Sequence, residues 1–286
     1  MRIPSLLMFI LISIGTVYGE GHFDYSTALV RELADTFCDS LKQENPEQPI
    51  DLELAKHQHH TYSELVCSLV THAIYLPSDP MHPDCNFIED TAILVGNEAV
   101  ISRMGAQSRR GEEIPVMEAL EDLNLSQIHR ITAPATMDGG DILYTGRHLF
   151  VGQSNRTNKK GLTQLSQIFS DKLPVIPIEV EGSLHLKSTV SQLDFDTLIV
   201  SDDAEGHRVQ NAIELATPFY QFISVPDRVA ANVLRIGNTL IIQAGFPDSE
   251  AILRHAAEER HLEVITLEMS ELIKADGALT CGSLLF

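Results

Sequence analysis

The chain has 286 residues, 44% of them hydrophobic and 21% charged, an ordinary globular composition with enough length to bury a large core. Forty Asp and Glu face 20 Lys and Arg, and the net charge of -20 repels a nucleic-acid backbone or an anionic membrane while tolerating a small cationic partner. No low-complexity tract or long Gly/Ser linker divides the chain, so one unit is expected over residues 20–286.

At the N-terminus, Arg2 precedes an apolar run from Leu6 to Ile14, and small residues follow at Gly15 and Gly19. This is a secretory signal pattern over residues 1–19, with cleavage expected within Val17-Tyr18-Gly19. The run is shorter than the roughly 20 apolar residues that span a bilayer, so the mature protein is expected to be lumenal or secreted, with no membrane anchor. Asn124-Leu125-Ser126 and Asn155-Arg156-Thr157 are then glycosylation candidates. Four cysteines, Cys38, Cys67, Cys85 and Cys281, permit disulfides in such a compartment; a free thiol at Cys281 leaves one of the others unpaired. His57-Gln58-His59-His60 has helical spacing without a Cys or acidic partner nearby, and reads as a polar helix face rather than a metal site.

From residue 91 onward a unit recurs. Thr91 to Val95 and Ala99 to Ile101 flank Gly96-Asn97; Ile142 to Tyr144 and Leu149 to Val151 flank Gly146-Arg147; Val233 to Ile236 and Leu240 to Ile242 flank Gly237-Asn238. These are β-hairpins, because Gly or Asn supplies the positive φ of tight turns. Their glycines fall 50 and then 91 residues apart, which predicts a further hairpin near position 190; Ser188 to Val190 and Thr197 to Val200 fill it. Helical spacing covers Val116 to Leu123, Thr163 to Phe169, Val209 to Leu215 and Glu250 to Glu259. Each unit is therefore strand, strand, helix, strand. A period of 40 to 50 residues with this content predicts radial repetition, an α/β propeller. A fifth blade is expected from the N-terminal region and a strand within Ala278 to Phe286, which would latch the ring and bring Cys281 to its centre. A doubly wound sheet would want single strands and a Gly-rich phosphate loop, and Asp138-Gly139-Gly140-Asp141 lacks that spacing.

The chemistry-bearing residues cluster at blade entries. Pro83 to Asp90 carries Asp84, Glu89 and Asp90, of which alternation lets only one of Glu89 and Asp90 face a ligand while the other braces a neighbouring loop. Arg109 and Arg156 each follow the second strand of a hairpin. Carboxylates would grip a guanidinium and arginines an α-carboxylate, so an amino acid with a guanidino side chain is the expected small-molecule partner. Cys281 lies in a loop of small residues where a thiol is poorly placed for packing, and reads as a nucleophile, with His185 and the acidic turn at Asp138 as candidate helpers.

Pro83-Asp84-Cys85 with Phe87-Ile88-Glu89-Asp90, Gly105-Ala106 before Ser108-Arg109-Arg110, Asp138-Gly139-Gly140-Asp141, Arg156-Thr157-Asn158, Leu184-His185-Leu186-Lys187-Ser188, and Asp276-Gly277 leading to Leu279-Thr280-Cys281 together resemble the dimethylarginine dimethylaminohydrolase family. The resemblance runs in register from Tyr25 to Phe286. It implies a five-bladed α/β propeller (pentein) of ββαβ modules and hydrolysis of asymmetric dimethylarginine or monomethylarginine to citrulline and a methylamine, without a cofactor, by a monomer or homodimer. It makes Cys281 the nucleophile, His185 the proton donor and later base, and Asp138 the carboxylate that orients His185. Asp84, Glu89, Asp90 and Asp276 would line the substrate pocket, and Arg109 and Arg156 would hold the substrate carboxylate, beneath a lid near Phe37 to Lys42.

No metal is needed for this chemistry, although Cys281 with His185 could take an inhibitory zinc. Three features depart from the family: Gly282 stands where several animal relatives carry a second cysteine, a secretory leader is unusual because relatives are mostly cytoplasmic, and the tail stops soon after Cys281. An arginine deiminase or amidinotransferase would share Cys281, His185 and Asp138, and a secreted amino-acid-binding protein would keep the pocket without turnover.

Overall fold

The computed structural model describes residues 22–123 and 125–286; the leader pattern at 1–19 and the glycosylation candidate Asn124 lie outside the described residues. Five three-stranded sheets follow one another. The first contains β1 (Thr27–Arg31), helix α1 (Leu52–Ser68) and β2 (His72–Leu76). The second is β3 (Ala92–Val95), β4 (Glu98–Ile101), α2 (Glu113–Glu121) and β5 (Gln127–Arg130); the third is β6 (Ile142–Tyr144), β7 (Leu149–Gln153), α3 (Lys159–Phe169) and β8 (Val175–Glu179). The fourth is β9 (Val190–Gln192), β10 (Thr197–Ser201), α4 (Ala204–Ala216) and β11 (Gln221–Val225); the fifth is β12 (Leu234–Ile236), β13 (Thr239–Gln243), α5 (Pro247–Glu258) and β14 (Glu263–Leu267). A short helix α6 (Ser270–Ile273) then leads to β15 (Ser283–Leu285).

In each of sheets two to five an antiparallel hairpin forms first, and the helix carries the chain to an outer strand parallel to the middle one. The first sheet has the same form built from both ends of the chain: β15 pairs antiparallel with β1, Ala28 opposite Leu285 and Val30 opposite Ser283, while β2 pairs parallel with it. Three residues suffice for the latch because the amides of Ser26 and Thr27 also donate to the Phe286 carbonyl.

Strand alternation explains why the sheets stand around an axis. Along β4, Ala99 and Ile101 join the core shared with the first sheet, while Val100 points to the core shared with the third. The pattern repeats in β7, where Leu149 and Val151 face one way and Phe150 the other, and in β13, where Ile241 packs back toward β1. Each middle strand thus buries both faces, and five cores lie between successive sheets, the last joining the fifth to the first. The outer strands β2, β5, β11 and β14 each begin on an exposed residue and mix exposed with half-buried positions. Side-chain caps fix three crossover helices at their starts: Asp51, Asn158 and Asp203 accept amide hydrogen bonds from the first turns of α1, α3 and α4. His57 and His60 lie on the exposed face of α1 as expected, but Gln58 and His59 turn inward, Gln58 bonding Ser270 and the Glu271 amide. Among the described residues no helix is long and apolar enough to cross a membrane.

Candidate active site

Ahead of the first strand of each blade the chain makes one turn of 3-10 helix: Ile88–Thr91, Gly139–Asp141, Leu186–Ser188, Arg228–Ala231 and Thr280–Gly282. The turns gather around the axis, and the catalytic candidates sit on or beside them: Glu89 and Asp90 on the first, Asp138 and His185 as the caps of the next two, and Cys281 on the last. Radial repetition is what brings residues some hundred positions apart together.

Cys281, His185, Asp84, Asp90, Arg109, Arg156 and Asp276 line one shared cavity, with Leu41 and Phe87 among its walls. Its volume is only about 20 Å³, room for about one water, because the segment around Leu41 is folded over it. The Leu41 amide donates to Asp84 at 3.0 Å and the Gln43 amide to Asp276 at 2.6 Å. The expected lid is therefore in place, capping two carboxylates of the pocket. Asp276 itself holds a left-handed backbone with φ of 58°, a conformation that non-glycine residues adopt at a cost.

The imidazole of His185 is buried, its Nε2 3.2 Å from Asp138 Oδ2 and its Nδ1 3.9 Å from Asp90 Oδ1. Burial opposes its charge, but Asp90, the hydrogen bond to Asp138, and Asp141 outweigh it and raise the pKa to about 9. Asp138 Oδ1 accepts the Gly105 amide at 2.7 Å, so the carboxylate is oriented from two sides. Gly140 is required here: a Cβ would fall 2.5 Å from His185 Nδ1. Its amide also donates to Asp90 Oδ1 at 2.8 Å. Asp141, the other acid of this turn, holds the Leu186 amide at 3.0 Å and so fixes the backbone beside His185. Burial raises its pKa to about 6 even though His185 pulls the other way.

The two arginines differ. Arg109 is buried and its guanidinium is engaged by protein groups: Nη1 reaches Asp90 Oδ2 at 2.6 Å, Nε and Nη2 reach Glu112, and Nη2 also reaches the Phe87 carbonyl. Arg156 is more exposed, 17% against 4%, and reaches Asp138 at 3.5 Å. Asp90 is held below the ordinary carboxylate range; burial works against this, and His185 and Arg109 prevail.

Glu89 does not join the group. Its carboxylate receives Lys187 Nζ at 2.6 Å and the Thr280 hydroxyl at 2.9 Å. All three residues line a separate axial cavity of about 430 Å³, whose walls are inner-strand residues such as Ile93, Ile142, Leu234 and Leu284. The larger cavity lacks Cys281 and His185, which line the smaller one, so the chemistry belongs to the smaller cavity. Asp90 faces the pocket and Glu89 braces neighbouring loops, a division that the 3-10 turn Ile88–Thr91 produces rather than the strand alternation expected from the sequence.

Cys281 is partly buried, and burial, then Glu89 and Asp90, push its thiol pKa far above the usual range. All four cysteines are free. The turn carrying Cys281 is held from beneath by Tyr62 of α1, whose hydroxyl donates to the Leu279 carbonyl at 2.7 Å and lies 2.8 Å from Ser283 Oγ. Asp90, Asp138 and His185 bring ligand atoms within 4.8 Å of one another, the arrangement closest to a metal site among the described residues. That set omits Cys281, and its two acids already have cationic partners, Asp90 in Arg109 and Asp138 in Arg156.

Sequence reasoning did not single out Tyr62, Glu112, Lys187 or Asn232. Glu112 was findable from its spacing of three from Arg109, and Asn232 from its place two residues ahead of an inner strand, as for Asp90 and Cys281. Tyr62 carries no local signal, because its partners are more than 200 residues away.

Comparison with known proteins agrees with this geometry. The arginine deiminase family model matches residues 27–218. The N(G),N(G)-dimethylarginine dimethylaminohydrolase of Pseudomonas aeruginosa is 30% identical over 264 residues, covering 90% of this chain and 98% of that protein. The enzyme of the same name from Streptomyces coelicolor is 31% identical over 258 residues, covering 90% and 95%. The human putative hydrolase DDAH2 is 29% identical, covering 92% and 94%. Among solved structures, a cysteine-to-serine variant of the Pseudomonas aeruginosa enzyme complexed with citrulline superposes with a TM-score of 0.81 at 28% identity, covering 92% of this chain and all of the other. The N-terminal domain of the arginine dihydrolase ArgZ shares the fold, with a TM-score of 0.78 at 20% identity. The fold is the five-bladed α/β propeller of the penteins, and the chain belongs to the dimethylarginine dimethylaminohydrolase family of hydrolases acting on guanidino carbon–nitrogen bonds.

Proposed function

We propose that this protein hydrolyses N-omega-methylated arginines, asymmetric dimethylarginine or monomethylarginine, to citrulline and the corresponding methylamine. The single observation that carries this reading is the shared cavity in which a thiol, a raised-pKa imidazole and three carboxylates meet. Before substrate binds Cys281 is a thiol and His185 an imidazolium, a pairing that leaves the nucleophile uncharged. A guanidinium bound between Asp90 and Asp276 supplies the positive charge that favours loss of the thiol proton to solvent. The Cys281 sulfur then bonds to the guanidinium carbon, and the bond from that carbon to the methylated nitrogen breaks as His185 gives that nitrogen its proton. A covalent thiouronium remains. The neutral imidazole takes a proton from water, the resulting hydroxide adds to the same carbon, and the carbon–sulfur bond breaks as the added hydroxyl's proton passes to the departing sulfur, releasing citrulline and restoring the thiol. Asp138 orients the ring for both transfers. Arg156, less engaged than Arg109, is the better placed to hold the substrate carboxylate, with Arg109 fixing Asp90.

Because the cavity holds about one water when closed, entry requires the segment around Leu41 to lift and exchange its amide contacts with Asp84 and Asp276 for substrate contacts. The family-model match keeps free arginine as a second substrate to be tested. Citrulline release measured with each compound separates the readings: turnover of methylated arginine is expected, and release from arginine alone overturns the assignment. We further propose that the leader at residues 1–19 sends the protein into the secretory pathway; N-terminal sequencing of protein from expressing cells, finding an intact Met1, would contradict this.

A further inference from the structure

We infer that Asn232, on the entry to the fifth blade, is a positioning residue that sets the spacing between Cys281 and His185. Among the five axial turns this blade contributes no reacting group, yet Asn232 occupies the offset that Asp90 and Cys281 occupy in theirs, two residues ahead of the inner strand. Its side chain is buried and three hydrogen bonds tie it to two loops. Oδ1 accepts the Thr280 amide at 3.0 Å, and Nδ2 donates to Thr280 Oγ1 at 3.0 Å and to the Lys187 carbonyl at 2.9 Å. Thr280 precedes Cys281, and Lys187 lies two residues after His185.

The bonds close on themselves. Lys187 Nζ reaches Glu89, Glu89 accepts the Thr280 hydroxyl, Thr280 Oγ1 accepts from Asn232, and Asn232 returns to the Lys187 backbone. Donor and acceptor requirements fix the direction at each step: Glu89 only accepts when ionised, so the threonine hydroxyl must donate to it and accept from the amide. An ion pair alone could hold Glu89 and Lys187, but among the described residues it is Asn232 that joins the backbone of the nucleophile loop directly to that of the imidazole loop. Thiol and imidazole sit on separate turns of separate blades, and attack needs them placed to within fractions of an ångström; a displacement near 1 Å costs about 100-fold in rate.

This inference rests on the proposed reaction, and its test is built to fail separately from it. In Asn232→Ala, kcat for asymmetric dimethylarginine should fall about 10- to 100-fold with KM within about threefold, because the substrate contacts lie elsewhere. Alkylation of Cys281 by iodoacetamide, which needs no substrate, should rise several-fold as the loop is released. Asn232→Asp keeps the acceptor and loses both donors, and should show the same split if Asn232→Ala does not fold. Wild-type kcat in a folded variant, alkylation of the folded variant no faster than that of the wild type, or a loss of kcat fully accounted for by a proportionate loss of folded protein would overturn the inference. If the wild type turns over no methylated arginine, the functional reading fails, and the alkylation contrast alone decides the role of Asn232.

Discussion

His185 Nε2 lies 3.2 Å from Asp138 Oδ2, and this contact, with Asp90 across the ring, keeps the imidazole protonated at neutral pH. The proton donor is present below about 9 and lost as pH rises through that value. The rate of adduct formation should therefore fall on the alkaline side near pH 9, and Asp138→Asn should move this limb to lower pH and reduce kcat by at least about tenfold. Stability follows the same sign: the pKa is raised on folding, so the contribution of His185 is complete below its ordinary value of 6.5 and disappears through about 9. A pH series of kcat and of urea midpoints for the two proteins checks both.

Burial and the carboxylates of Glu89 and Asp90 favour the thiol form of Cys281 in the free enzyme. Iodoacetamide should consequently alkylate the free enzyme slowly at neutral pH and increasingly in alkaline solution. Fast alkylation of the free enzyme at pH 7, measured by mass spectrometry, would show that the thiolate is already formed and that substrate charge is not needed.

Tyr62 and Gly282 are a matched pair. A Cβ at residue 282 would fall 2.5 Å from Tyr62 Cε1, inside a fully buried contact. Gly282→Ala should destabilise by roughly 1–3 kcal/mol through overpacking. Tyr62→Phe keeps the ring but removes both hydroxyl contacts, at a cost of about 1–2 kcal/mol, and lowers kcat more than KM. Denaturant melts and steady-state kinetics of the two variants test the pairing.

Lys187 and Glu89 are 15% and 10% exposed in their side chains, which makes theirs a mostly buried pair. Removing one partner leaves a charge in a poorly solvated place. Lys187→Met should cost stability near the lower end of the roughly 3–5 kcal/mol range for such breaks, and Lys187→Met with Glu89→Gln should recover part of it. A double-mutant cycle in urea measures the coupling.

Much of this architecture was legible from hairpin spacing, because middle strands that bury both faces carry apolar runs such as Leu149 to Val151 and Leu240 to Ile242, joined to their hairpin partners by recognisable turns. The latch strand was legible only through the incomplete fifth repeat. Asp84, Asp90, Arg109 and Arg156 stood out as charges before or after hairpin strands, whereas Asp276 was named only through the family resemblance, and Glu89, named with them, lies outside the pocket. What could not be read were contacts made by backbone amides, as in Leu41 to Asp84 and Gln43 to Asp276, since any residue carries that donor. The division of labour between the arginines was hidden as well. Arg109 and Arg156 look alike in sequence, and it is Asp90, Glu112 and the Phe87 carbonyl gathered around Arg109 that distinguish them.

The most direct test is mass spectrometry of enzyme rapidly quenched during turnover of asymmetric dimethylarginine. The predicted result is an adduct on the peptide containing Cys281, equal in mass to the substrate less dimethylamine, absent in Cys281→Ser. Steady citrulline production with no such adduct, or with label on another residue, would contradict it.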